Sequence, residues 1–201
     1  VNYGFDLVNA SSMTYYNPYN GNSVGVKGTI QKANGRTFSY TFNQLLTYDR
    51  KFGKHHVDVL AGHEFYKYNY QYLGAAKTGF PFGGLYELDA ASTITDASSY
   101  QDFYAVESVL SRASYDYDDK YYLSGSYRRD GSSRFHKDSR WGDFWSVGAN
   151  WRISQENFMK NVKWVNNLSV KASYGVQGND NLGSFYAWQS FYDLGWPNAT
   201  M

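Results

Sequence analysis

The stretch from residue 121 to residue 154 alternates between apolar and polar side chains on both sides of a polar, glycine- and serine-rich loop. It reads YYLSGSYRRD before the loop and WGDFWSVGANWRIS after it. Successive side chains of a β-strand point to opposite faces, so this period predicts strands with one apolar and one polar face. The element that covers the apolar face then decides what kind of protein the chain can be.

The same period recurs along most of the chain. Clear runs occupy residues 38–49, 55–73, 109–117, 121–130, 143–153 and 168–177, and a weaker run lies near 3–9. Within 55–73 the apolar phase moves from Val57 and Val59 to the tyrosines at 66, 68, 70 and 72. Such a change indicates a bulge, or a strand that passes from one environment into another. We therefore predict an all-β, antiparallel chain of about seven strands.

The connections between these runs fall into two groups. Segments 51–55 (KFGKH) and 116–120 (DYDDK) are short, whereas 10–36, 74–100, 131–142 and the chain from 178 onward are long and polar. Short turns at one end and long loops at the other are typical of transmembrane barrels. In 154–167, Ser154 is a possible N-cap, and Phe158, Val162 and Val165 follow at helical spacing. This pattern predicts a short rim helix near 155–165.

Two coverings of the apolar face are possible. A soluble, aromatic-rich β-sandwich of the carbohydrate-binding type would bury it against a second sheet, with strands of about five or six residues. Several runs here alternate for about ten residues, the length that crosses a bilayer at a tilt. Their polar faces carry charged residues that suit a wet barrel interior: Arg112, Arg128, Asp130, Arg152 and Lys171. We therefore favour a transmembrane β-barrel segment over the sandwich.

Composition and spacing argue against several other functions. The net charge is +1 without a long basic run, so the chain has no electrostatic footprint for nucleic acid. Cysteine is absent, which excludes thiolate metal sites and cysteine nucleophiles. Glu64 and Glu107 could be imagined as a glycosidase pair, but nothing in the sequence brings them together. We expect no enzyme activity, no catalytic residues and no cofactor.

Metal binding is not expected either. His56 and His63 differ by seven positions and therefore point to opposite faces of a strand, while His55 and His63 share a face but lie roughly 26 Å apart. Asp116, Asp118 and Asp119 sit in a tight turn that lacks the glycine and the distal glutamate of a calcium loop.

Three longer segments carry a resemblance to a known family. They are LTYDRKFGKHHVDVLAGHE, KYYLSGSYRRDGSSRF and RWGDFWSVGANWRISQENFMKNVKWVNNLSVKASYGVQGN. They closely resemble the barrel of SusC/RagA-type TonB-dependent outer-membrane transporters of Bacteroidetes. The resemblance implies a plugged barrel of about 22 strands, of which this chain would supply roughly a third. Residues 1–201 would then be a partial barrel domain without the plug domain.

The resemblance also implies a function and partners. Such transporters import bulky nutrients, usually glycan oligosaccharides and sometimes peptides, through the outer membrane with energy from TonB. A SusD-like surface lipoprotein caps the mouth, and outer-membrane lipid surrounds the wall. Because an open sheet with bare edges and an uncovered apolar face favours aggregation, we expect the isolated chain not to be a stable soluble monomer.

Candidate contacts lie in the long loops and on the polar faces. Aromatic rings that could stack on a sugar, or pack under a lid, occur at five loop positions: Phe80, Phe82, Tyr86, Trp188 and Trp196. The alternative is that they hold the loops together. For the charged residues predicted to face the lumen, the alternative to substrate or plug contact is pairing with neighbouring strands, with Asp116 and Asp130 as the candidate partners.

Overall fold

The computed structural model describes residues 1–190, which form one antiparallel sheet of seven strands in sequence order. The strands are β1 (Asn2–Tyr16), β2 (Thr29–Phe52), β3 (His55–Thr78), β4 (Thr93–Tyr117), β5 (Tyr121–Ser132), β6 (Trp141–Trp151) and β7 (Val170–Val176). Each strand pairs with its neighbours along the chain, so β1 and β7 form the edges of the sheet. The predicted all-β class and number of strands are confirmed.

The register sets most apolar side chains of neighbouring strands opposite one another on one face and most small polar side chains opposite one another on the other. On one face of β5 and β6, Leu123 faces Ala149 and Tyr127 faces Trp145, whereas on the other face Ser126 faces Ser146. β7 continues this order, since Asn150 faces Lys171. A slip of one residue would turn every apolar side chain to the polar face, so the alternation itself specifies the register.

Three strands are much longer than the sequence indicated. β2 and β3 have 24 residues each and β4 has 25, whereas a tilted bilayer crossing takes about 9–11 residues. Parts of the segments predicted as the long loops 10–36 and 74–100 therefore belong to strands, and the true connections are 17–28 and 79–92. That prediction was wrong because polar residues on both faces of an extended hairpin remove the alternation by which strands are recognised.

The predicted rim helix is also absent from the described residues. Residues 153–169, the rim segment between β6 and β7, contain two single 3₁₀ turns, Ile153–Gln155 and Asn157–Met159. The Ser154 hydroxyl makes no capping bond and reaches only the side-chain oxygen of Asn167 at 3.5 Å. Ile153, Val162, Val165 and paired asparagines at 166–167 are weak helix formers, which explains why the i, i+4 spacing alone did not yield a helix.

The short turns follow ordinary hairpin rules. Gly53 opens the β2–β3 turn with φ +60°, a value that glycine adopts without steric cost. In the β4–β5 turn, Asp118 and Asp119 have φ 54° and 55°, and the Lys120 amide donates to the carbonyl of Tyr117 at 3.0 Å. Two positive φ values at the central positions define a type I′ turn, which aspartate tolerates better than most residues.

The described chain divides into two compact units. One comprises Val1–Asn2, Phe42–Tyr66 and the chain from Ala105 onward; the other comprises Tyr3–Thr41 and Lys67–Tyr104. The second unit contains the buried hydrophobic cluster of the described residues, formed by Ile30, Phe80 and Ala91.

No second sheet faces the apolar side of the strands within residues 1–190. Five residues that test this point are between 40% and 57% exposed: Trp145, Val147, Trp151, Leu168 and Val170. A sandwich would have buried them, so the soluble β-sandwich interpretation was wrong. No helix among the described residues has the length and apolar character to cross a membrane.

Candidate functional site

The polar face of the first unit carries a network of charges centred on Arg128. Its Nε donates to Asp130 Oδ1 at 2.6 Å, and its Nη2 donates to Glu64 Oε1 at 3.1 Å and to Ser108 Oγ at 2.9 Å. Ser108 is fully buried beneath it. These contacts join β3, β4 and β5, so the guanidinium serves first as a bridge between strands.

Further charges lie on the same face towards the short turns. Arg112 forms an ion pair with Asp58 at 3.4 Å. The sequence had indicated Asp116 and Asp130 as candidate partners, so this pairing was not predicted. The His56 ring lies between two carboxylates, with Nε2 2.9 Å from Asp49 and Nδ1 2.7 Å from Asp116. An imidazole with a carboxylate at each nitrogen ties β2, β3 and β4 together.

These residues border an open groove of about 690 Å³. The groove is also lined by Asn150, Lys171 and the serines at 114, 124 and 173. The structure thereby brings together four of the five residues predicted to share the wet face, namely Arg112, Arg128, Asp130 and Lys171, on one side of the sheet. Arg152 follows the last residue of β6 and contacts the Asp119 carbonyl at 3.3 Å and the Tyr122 hydroxyl at 3.2 Å.

The turns at the short end are linked by ion pairs. Lys54 Nζ lies 3.0 Å from Asp118, and Asp118 also lies 3.4 Å from Lys120. The hydrogen bond from Lys54 lowers the pKa of the Asp118 carboxyl, and the same bond raises the pKa of Lys54. Backbone bonds reinforce these pairs, since the Asp118 amide donates to the Lys54 carbonyl at 2.8 Å.

The rim segment is attached through Glu156. This carboxylate accepts hydrogen bonds from the Tyr121 hydroxyl and from Trp151 Nε1, the latter at 3.1 Å. The bond from Tyr121 contributes most to a lowered pKa of Glu156. Tyr121 and Trp151 are paired across β5 and β6, and their rings stack at 6.5 Å.

The aromatic residues predicted in segment 74–100 divide into a buried one and two exposed ones. Phe80 is only 2% exposed and packs with Ile30 and Ala91, so little of its ring surface is open to solvent. This packing is what the alternative role, holding the loop together, requires. Phe82 and Tyr86 are 56% and 52% exposed, and the Tyr86 ring meets Tyr15 edge-on at 4.9 Å.

The loop after β5 is tied to the chain after β7. Ser132 Oγ donates to Asp180 Oδ2 at 2.8 Å, and Arg134 Nη1 donates to the Asp180 carbonyl at 3.0 Å and to Asn181 Oδ1 at 3.1 Å. Arg134 also stacks over the Phe185 ring at 5.1 Å. The stretch RDGSSRF (129–135) thus contacts the stretch QGNDN (177–181). These contacts give the polar residues of both stretches a structural role.

Trp188 lies beside this connection, where its ring meets His136 edge-on at 5.2 Å. It remains partly exposed and therefore stays a candidate contact. Trp196, the fifth predicted aromatic contact, lies outside the described residues.

A tyrosine cluster was not assigned a role from the sequence. Tyr100 of β4 stacks on Tyr72 at 5.1 Å and lies 6.0 Å from Tyr70. The alternating tyrosines at 66, 68, 70 and 72 were the signal in the sequence.

The two glutamates considered as a catalytic pair lie on opposite faces of the sheet. Glu64 contacts Arg128, whereas Glu107, next to Ser108 in β4, points to the opposite face and contacts His63 at 3.1 Å. Residues 1–190 contain no group of three or more histidine, aspartate or glutamate side chains arranged to hold a metal ion.

Comparisons with known proteins agree with this architecture. The TonB-dependent receptor P39 of Formosa agariphila is 36% identical over 166 residues, which are 77% of this chain and 16% of the receptor. The TonB-dependent receptor SusC of Bacteroides thetaiotaomicron is 25% identical over 195 residues, or 94% of this chain and 18% of SusC. The chain thus spans less than a fifth of these curated relatives. No model of a protein family matches the sequence.

Solved structures give the same result at the level of the fold. The RagAB peptide transporter matches with a TM-score of 0.87 and 29% identity, over 94% of this chain and 21% of that one. The RagAB peptide importer in its closed-closed state matches with a TM-score of 0.75 and 28% identity, over 86% of this chain and 20% of that one.

Proposed function

Because this chain is a β-barrel segment of the SusC/RagA type of TonB-dependent transporter, we propose that it forms wall and loops of an active importer in the outer membrane. The cargo is a bulky nutrient of the glycan oligosaccharide class. A SusD-like surface lipoprotein caps the mouth, and TonB supplies the energy. Residues 1–201 act as a partial barrel domain within that larger transporter.

The contrast between the two faces of the sheet is the observation that carries this proposal. One face exposes large apolar side chains such as Val147 and Val170, which suit hydrocarbon tails. The opposite face carries the network around Arg128 and the groove beside Lys171. In a barrel these charges border the wet lumen, where they hold the wall rigid and present Arg112, Arg128, Asp130 and Lys171 to the plug or to passing cargo.

Glycan contact is assigned to exposed aromatic rings of the loops. Phe82, Tyr86 and Trp188 each leave part of a ring open to solvent. A ring face can cover the apolar face of a sugar, while a tyrosine hydroxyl bonds its polar edge. Tyr100 offers the same combination beside Tyr72. Phe80 has a different role, because it fixes the loop from within.

Peptide import is the second candidate. It is supported by the similarity to the RagAB peptide transporter and to the RagAB peptide importer. Aromatic rings also bind peptides, so exposed rings alone do not distinguish an oligosaccharide cargo from a peptide cargo. The two cargoes differ in the polar groups that would recognise their backbones.

The test uses the complete parent transporter together with its lipoprotein partner. Ligands that copurify would be identified by mass spectrometry, and calorimetry would then compare oligosaccharide and peptide pools. We expect saturable binding of an oligosaccharide, and uptake by cells that stops when TonB is deleted. Binding of peptides but not of oligosaccharides would identify the cargo as a peptide. Uptake that does not depend on TonB would contradict the transport proposal.

A further inference from the structure

The rim segment carries the most exposed aromatic side chain of the described residues. Trp164 is 86% exposed and Phe158 is 64% exposed. Burying a tryptophan removes a large apolar area from water, and its indole N–H suits a boundary that is apolar on one side and wet on the other. The exposure of both rings therefore indicates that this surface is covered by something outside the described residues.

The attachment of the rim segment defines the side of the sheet on which it begins. Glu156 accepts hydrogen bonds from Tyr121 and Trp151. These two residues pair with each other and lie on the face that carries Leu123 and Val147. The rim segment thus starts on the apolar face and continues an exposed apolar surface at its short-turn end.

Beyond Glu156, the charges of the rim segment have one sign. Between residues 157 and 169 the only ionisable side chains are Lys160 and Lys163, and no acid occurs there. Both lysines are exposed, and neither takes part in an ion pair within residues 1–190. Aromatic rings beside lysines are the composition found where a protein meets lipid headgroups, because the rings enter the interface and the amines reach phosphates.

We propose that the rim segment lies in the headgroup region of the lipid leaflet at the short-turn end of the strands. Trp164 and Phe158 insert between the upper acyl carbons, and Lys160 and Lys163 pair with lipid phosphates. The occupant of this surface is a phospholipid leaflet. The inference rests on the proposed function, because it assumes that the neighbouring apolar face is covered by lipid.

The experiment measures the depth of one indole in the complete transporter, reconstituted in phosphatidylethanolamine–phosphatidylglycerol vesicles. Fluorescence of the parent minus that of Trp164→Phe isolates Trp164, and parent minus Trp145→Phe isolates a reference residue in the middle of β6. Lipids brominated near the headgroup end or near the tail end of the acyl chain act as quenchers, as does aqueous iodide. We expect shallow bromines to quench Trp164 at least about twofold more than deep ones, with little effect of iodide.

The reference residue separates the two ways to fail. If bromolipids quench Trp145 while only iodide quenches Trp164, the interfacial position is overturned and the barrel wall stands. If neither tryptophan responds to bromolipid, the membrane placement itself fails. Protection of Trp164 from both quenchers means that protein covers the rim segment, which also overturns the inference.

The lysines provide a second measurement. Quenching of Trp164 by shallow bromines should increase with the phosphatidylglycerol content, since an anionic lipid attracts Lys160 and Lys163. In K160Q/K163Q this dependence should disappear, whereas K137Q, a change of an exposed lysine in the β5–β6 loop, should keep it. An unchanged dependence in the double variant would contradict the proposed contact with phosphate.

Discussion

Ser132 donates a 2.8 Å hydrogen bond to the carboxylate of Asp180, a residue 48 positions further along the chain. The bond is part-buried, and it fastens the end of β5 to the segment that follows β7. A serine and an aspartate in two polar stretches therefore form one junction between the β5–β6 loop and the chain after β7.

Removal of this bond should loosen the β5–β6 loop. Ser132→Ala removes one hydrogen bond to the Asp180 carboxylate in a part-buried site, which should cost about 0.5–1.5 kcal/mol. We expect faster cleavage within residues 133–140 in limited proteolysis of the complete transporter. Ser139→Ala in the same loop is the control, because the side chain of Ser139 is exposed. Equal cleavage rates for the two variants would show that the bond is unimportant.

The arginine network should contribute modestly to the stability of the barrel. Arg128→Met removes the cation shared by Glu64 and Asp130, and because all three side chains are partly exposed we expect a loss of about 1 kcal/mol in urea unfolding from vesicles. Adding Glu64→Gln should recover part of it. Arg129 lies on the opposite face, 3.8 Å from Asp143 and 5.7 Å from the centre of the Trp141 ring. Arg129→Met should have a smaller effect than Arg128→Met, and the reverse order would contradict the assignment.

The ion pair between the short turns predicts a dependence on pH. Lys54 lowers the pKa of Asp118, so the pair stabilises the fold fully above the pKa of the unfolded state, about 3.9. That contribution is lost as the pH falls through the lower pKa of the folded state. Asp118→Asn keeps the turn geometry, since asparagine also adopts positive φ, and it should flatten the change in melting temperature between neutral and acidic pH. A variant with the parent's acid profile would exclude the pair as its cause.

Two aromatic loop residues should respond in different ways to truncation. Phe80→Ala removes a buried ring and should destabilise the loop by about 3–5 kcal/mol, detected as new protease sites in 79–92. Tyr86→Ala removes an exposed ring and should weaken oligosaccharide binding in calorimetry without new cleavage. Loss of binding in both variants with no change in proteolysis would mean that Phe80 itself contacts the ligand.

The isolated chain should require detergent. With Leu46, Val170 and Tyr174 exposed on one sheet and edges at β1 and β7, residues 1–201 expressed alone should aggregate in buffer. Analytical ultracentrifugation after removal of detergent provides the measurement. A compact monomer in that experiment would contradict the lipid-facing interpretation of the apolar side.

The alternation of side chains by itself determined the strand class, the approximate number of strands and the division into an apolar and a polar face. Period two is a local property of extended backbone, so Val147 and Ser146 take opposite faces in any register. The tertiary structure decided which charges meet, such as Arg128 with Glu64, and that Phe80 is buried while Tyr86 is not. It also decided how far β2 to β4 extend, and that the rim segment turns instead of forming a helix. These outcomes depend on contacts between residues distant in sequence, whose free energies a local pattern does not contain.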